Sequence, residues 1–215
     1  MEKNLQLDRL VFFCDAVVAI AITLLVFNLK LDHLPSGHLT YQDLLGIWPK
    51  LLAFGVSFLN IAIFWTIHHN FFSYIKKVDT KVRRYNLYWL FFIVTIPFSA
   101  SLVSAYFSDK PAMLVYCINT FMITVFQNNI WDTVTENPDF LKEDTPQSVI
   151  RDYRLGCNVA MINAALAIII AFFSPIGAIA MLLLRLSIIS VVRRIKYKKA
   201  ITDMADSGQK RKIRK

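Results

Sequence analysis

Long apolar runs alternate with short polar segments along the chain. The runs predict six helical spans, at about 10–29, 44–68, 85–106, 112–131, 155–173 and 176–192. A helix rises 1.5 Å per residue, so about 20 apolar residues cross roughly 30 Å of hydrocarbon. Pro97 interrupts the third run. The last two have no polar loop between them. A tight turn at Ser174-Pro175 and the Pro-Ile-Gly break that follows separate them. The pattern predicts an all-α integral membrane protein with six transmembrane helices per chain and no internal repeat.

The first run, RLVFFCDAVVAIAITLLVFNL from Arg9 to Leu29, is unusual in carrying an acid, Asp15. A carboxylate inside a membrane helix costs about 2.5–3.5 kcal/mol on insertion scales, so it faces protein or water. Further along, Ile20, Thr23, Leu24 and Phe27 recur at i, i+3, i+4 and i+7 and fall on one face. Two readings fit that stripe. It can be the core of a single helical bundle. Alternatively, copies of the helix around an axis turn Ile20, Leu24 and Phe27 into apolar rings that gate by dewetting, with Thr23 adding a ring of hydroxyls.

Charge refines the topology. The chain has 215 residues, 56% hydrophobic and 18% charged, with a net charge of +9. An ordinary soluble domain is about a quarter charged. The excess of basic residues could suggest nucleic acid, but it falls between and after the apolar runs, where it acts as a topology signal, so no nucleic-acid partner is expected. With the N-terminus inside, the segments expected to be cytoplasmic hold 20 of the 24 Lys and Arg residues; an even number of spans then places both termini in the cytoplasm. KKVDTKVRR (76–84) reads as a stop-transfer anchor that meets anionic lipid. The segment 132–154 reads as a solvated linker. Residues 193–215 read as a basic cytoplasmic tail.

The residues exclude several chemistries. Phosphate-binding glycine loops, GxSxG and HExxH are absent, so the chain is not expected to be an enzyme. Cys14, Cys117 and Cys157 lie apart within apolar runs and suit small buried hydrophobes. His68 and His69 are adjacent and point about 100° apart on a helix, so they cannot chelate a metal together. Asn60, Asn86, Asn119, Asn158 and Asn163 suit cross-helix hydrogen bonds, and Arg185 is near enough to the inner end of its span to snorkel to the interface. No metal or cofactor is expected. A TVGYG filter is absent, so an ion pathway here would need a constriction made of side chains.

One stretch carries a family resemblance. Arg9-x-x-x-Phe13-Cys14-Asp15, followed by Ala16-Val17-x-Ala19-Ile20-x-Ile22-Thr23-Leu24-Leu25, resembles the RxxxFSD motif that opens the first helix of the transmembrane protein 175 family of lysosomal potassium channels. It is most similar to the prokaryotic members, with one six-span unit per chain. Phe64, Trp65, His68 and His69, ending the second span, and Asn86 in the third extend the likeness over about 1–106. Cys14 stands where the family usually has Ser. The resemblance implies a homotetramer in the cell (plasma or inner) membrane, with 1–192 as the channel domain, potassium as the permeant ion and lipids around it. By position it implies Ile20 as the main constriction, Thr23 as the layer tied to selectivity, and Leu24 and Phe27 as wider apolar layers. It also implies a network joining Arg9, Phe13, Cys14 and Asp15 to Trp65, His68 and Asn86. The alternative reading is a cation or proton-coupled transporter that uses Asp15 and the histidines.

Overall fold

The computed structural model describes residues 2–30, 38–185, 187–192 and 194. Along the described residues run α1 (Glu2–Leu24), α2 (Tyr41–Gly46), α3 (Trp48–Tyr74), α4 (Thr80–Val94), α5 (Ile96–Ala105), α6 (Lys110–Glu136), α7 (Gln147–Ala171) and α8 (Pro175–Leu183). A 3₁₀ turn, Leu25–Asn28, continues α1, and a second covers Pro138–Phe140. Strand pairing among the described residues is limited to one bridge between Ile75 and Leu141. Among the described residues, four stretches are long and apolar enough to cross a membrane: Gln6–Asn28, Trp48–Tyr74, Thr80–Ala105 and Gln147–Ala171. α6 has 27 residues, but Asn119, Gln127 and Asn128 lower its hydropathy. α8 is short, and helix resumes at 185 and again at 187–192.

The helices overrun the apolar runs. α3 continues to Tyr74, α6 to Glu136, and α7 begins at Gln147 rather than 155. Backbone bonding does not stop where hydropathy falls, and at three other helices a side chain caps the start. Asp79 caps α4 by accepting from the Val82 amide at 2.8 Å. Ser174 caps α8 by accepting from the Gly177 amide at 3.1 Å. Thr40 and Asp43 form a reciprocal capping box at α2. Pro97 divides the third run into α4 and α5, because a proline inside a helix lacks an N–H and crowds the carbonyl a turn earlier. The Pro97 carbonyl accepts from Asn28 Nδ2 at 3.2 Å, which ties the end of the first run to this break.

α6 is the hub, packing against α4, α5, α7 and α8 and touching α3. Its buried face holds polar residues that pair across helices. Tyr116 Oη accepts from Ser57 Oγ and Asn60 Nδ2, both at 3.2 Å. Asn119 donates to Ser99 Oγ and accepts from Thr95 Oγ1. Gln127 donates to the Phe64 carbonyl. Each such bond contributes about 0.6–2 kcal/mol in a membrane bundle.

Segment 132–154 is not the solvated linker expected above. Phe140 and Leu141 are buried. The Phe140 carbonyl accepts from the amides of Lys76 and Lys77, and the Lys142 amide donates to the Tyr74 carbonyl. Phe71, Trp131 and Tyr153 stack beside it, and Arg154 reaches Asp132 at 3.1 Å. The apolar side chains in the loop, together with free backbone groups at the ends of α3 and α6, hold it against the bundle. The expected tail 193–215 lies outside the described residues apart from 194, as does the loop at 31–37.

Candidate pore helix and its anchoring network

α1 has two unlike faces. Cys14, Val18, Ala21 and Leu25 are buried against α3, α4 and α5. Ile20, Thr23, Leu24 and Phe27 are exposed in the single chain, Ile20 at 61% and Phe27 at 63%. Both sets follow the 3.6-residue period of a helix, so burying one turns the other outward. Thr23 Oγ1 donates its proton to the Ile20 carbonyl at 2.8 Å, leaving its oxygen lone pairs on the exposed face. Phe12, Phe13 and Val26 widen that apolar surface.

Behind the stripe, side chains from three helices fix α1 in place. Trp65 Nε1 of α3 donates to Asp15 Oδ1 at 2.8 Å. His68 Nε2 lies 2.7 Å from Asn86 Oδ1, and Asn86 Nδ2 of α4 donates to Cys14 Sγ at 3.1 Å. With its amide hydrogens directed to sulfur, Asn86 presents its oxygen to histidine, so Nε2 carries the proton. The His68 ring stacks on Trp89 with centroids 4.1 Å apart and is fully enclosed. Asp15 obtains a donor and Cys14 supplies an acceptor where the family motif has a serine oxygen.

Not every residue of the motif joins. Arg9 is exposed and lines a shallow surface recess with Gln6, Leu10, Phe13 and Arg83, away from Trp65, His68 and Asn86. Phe13 is half exposed. His69 points away from His68 and packs against Trp65. Among the asparagines, Asn60, Asn86, Asn119 and Asn163 bond across helices, whereas Asn158 is exposed.

Two further features lie outside the expectations. Tyr116, the acceptor shared by Ser57 and Asn60, was legible only as an apolar-run tyrosine. Arg185 does not snorkel. It is 2% exposed, with its guanidinium 4.4 Å from the centre of the Phe64 ring. The Phe64 ring of α3 covers one face of its guanidinium within the bundle.

Known proteins share much of this chain. The family model described as "Endosomal/lysosomal potassium channel TMEM175" matches residues 9–97, which include α1 from Arg9 onward, the anchoring residues of α3 and α4, and Pro97. A potassium channel of Chryseobacterium sp. (strain P1-3) is 32% identical over 176 residues, covering 80% of this chain and 85% of its own. The endosomal/lysosomal proton channel TMEM175 of Gallus gallus is 32% identical over 146 residues, which cover 62% of this chain and 29% of that one. Among solved structures, a lysosomal potassium-selective channel TMEM175 homolog from Chamaesiphon minutus superposes with a TM-score of 0.71 at 26% identity, covering 86% of this chain and 97% of that one. On this sequence identity, coverage and shared fold, the chain belongs to the TMEM175 family of ion channels.

Proposed function

We propose that this chain forms a homotetrameric, potassium-selective channel in the cell membrane, with α1 of each copy lining a central pore. In this reading six spans cross the membrane, the fourth being α6 and the sixth beginning with α8, and both termini are cytoplasmic. Ile20 forms the narrowest apolar ring. Thr23 sits one turn on and offers lone pairs to a partly dehydrated cation. Leu24 and Phe27 form wider rings beyond it. The observation that carries this reading is the exposed stripe on α1. Its apolar window is 22% buried, against 33–44% for the other three apolar stretches, although its hydropathy of 2.7 is the highest. Of the four apolar stretches, the one that packs least within its own chain is the one with a face available to other copies of itself. The solved relative from Chamaesiphon minutus is described as a homolog of a lysosomal potassium-selective channel, and the Chryseobacterium relative is named a potassium channel.

The test is flux in liposomes loaded with potassium and a pH-sensitive dye. Adding a protonophore allows protons to compensate potassium efflux, so the dye reports potassium conductance. We expect flux above empty liposomes, faster and less selective flux in Ile20→Asn, and a lower potassium-over-sodium preference in Thr23→Ala with total flux less affected. A tetrameric preparation without flux overturns the proposal.

A second reading is proton conduction, favoured by the Gallus gallus relative, which is named a proton channel. The same assay separates it: dye response without protonophore, under an imposed pH gradient, belongs to protons alone.

A further inference from the structure

A cavity of about 540 Å³ lies on the side of α3 away from α1, walled by α3, α6, α7 and the helix that follows α8. That volume is typical of a small-molecule or cofactor site. Part of its lining is apolar, with Leu59, Ile63 and Ala160. Asn70 and Ser190 stand toward the end of the bundle where α3 terminates. On its wall is Arg185, almost wholly enclosed, whose Nη1 finds no hydrogen-bond partner among the described residues. The neighbouring polar side chains are already committed: Gln127 donates to the Phe64 carbonyl, Thr124 to Phe121 and Thr66 to Ala62.

A buried cation without a counter-charge is strongly unfavourable. Stacking on Phe64 offsets part of that but satisfies none of the N–H groups, which lie in the plane of the fork. A guanidinium fork is matched by an oxyanion taken bidentately, and inside a bilayer the abundant oxyanion is the phosphate of a lipid headgroup. Basic pockets between transmembrane helices bind such headgroups. We infer that this cavity is a site for one phospholipid of the leaflet facing Asn70 and Ser190. The phosphate is drawn down onto Arg185 and one acyl chain lies along Leu59, Ile63 and Ala160. The site is separate from the α1 stripe and does not depend on the channel reading.

The experiment uses the full-length chain, purified and delipidated in detergent, with native mass spectrometry during titration of phosphatidylglycerol, of the matching diacylglycerol without phosphate, and of oleate. We expect one phosphatidylglycerol retained per chain, and diacylglycerol and oleate each at least tenfold weaker. Arg185→Gln is expected to weaken phosphatidylglycerol at least tenfold, and Arg185→Lys by less. Ala160→Leu keeps the charge and fills the apolar part, and is expected to lose binding as well; circular dichroism shows which variants fold. The inference is overturned if diacylglycerol binds as tightly as phosphatidylglycerol, if oleate binds in its place, if a folded Arg185→Gln binds like the parent, or if no lipid is retained.

Discussion

Cys14 tests how far a sulfur can stand in for a hydroxyl. It is fully buried, and its Sγ accepts from Asn86 at 3.1 Å while Asn86 also holds His68. Removing that acceptor leaves a buried amide donor unsatisfied, a loss of about 1–3 kcal/mol. Cys14→Ala is therefore expected to lower the thermal midpoint. Cys14→Ser is expected to match or exceed the parent, since oxygen is the stronger acceptor; scanning fluorimetry of the purified protein in detergent checks both. The sequence named Cys14, Asp15, Trp65, His68 and Asn86 as one group through a motif resemblance. Periodicity alone could not have paired Asn86 with Cys14, because 72 residues separate them. Arg9 shows the converse: nearness in the motif did not make it a partner of Trp65, His68 or Asn86.

At the level of helices, the apolar period located the runs but not their ends, because helical bonding continues past the apolar residues. Thr40 and Asp43 give a checkable case outside the spans. The side chain and backbone amide of Thr40 both donate to the Asp43 carboxylate, at 2.6 and 2.9 Å, and hold its pKa below the ordinary carboxylate value. A depressed folded pKa contributes stability that is present above the unfolded pKa and lost as pH falls through the folded one. In Thr40→Ala the backbone bond can remain but the hydroxyl bond is gone. The carboxyl titration of Asp43, followed by carbon NMR, is therefore expected to move up toward the ordinary value. The contact between α3 and α6 was hidden for a different reason. Tyr116 looks like one more aromatic in an apolar run, yet it takes two donors from α3. Tyr116→Phe removes the acceptor while keeping the ring, and its expected cost, read from the thermal midpoint, is about 1–3 kcal/mol.

The all-helical architecture follows from long apolar runs, which can satisfy backbone groups in lipid only by forming helices or a closed barrel. Less legible were Arg185 and the segment after α6, whose environments are made by side chains far away in sequence. The largest open step concerns how copies of the chain meet, and α1 offers a clean way to measure it. Cys14, Cys117 and Cys157 are all buried, so the parent should be silent to thiol reagents and to oxidative cross-linking. A disulfide needs Cα atoms about 4.4–6.8 Å apart, so a new cysteine joins two chains only where equal positions approach closely or breathe into contact. If the exposed stripe faces an axis, Ile20→Cys and Leu24→Cys give a dimer band on oxidation. Val18→Cys, whose position is 5% exposed on the buried face, does not. Silver ion applied to reconstituted Ile20→Cys is then expected to stop potassium flux while leaving the parent unaffected, because a metal-capped thiol ring closes the narrowest layer. Cross-linking of Val18→Cys with Ile20→Cys silent would place the opposite face of α1 between subunits, and the stripe would face lipid.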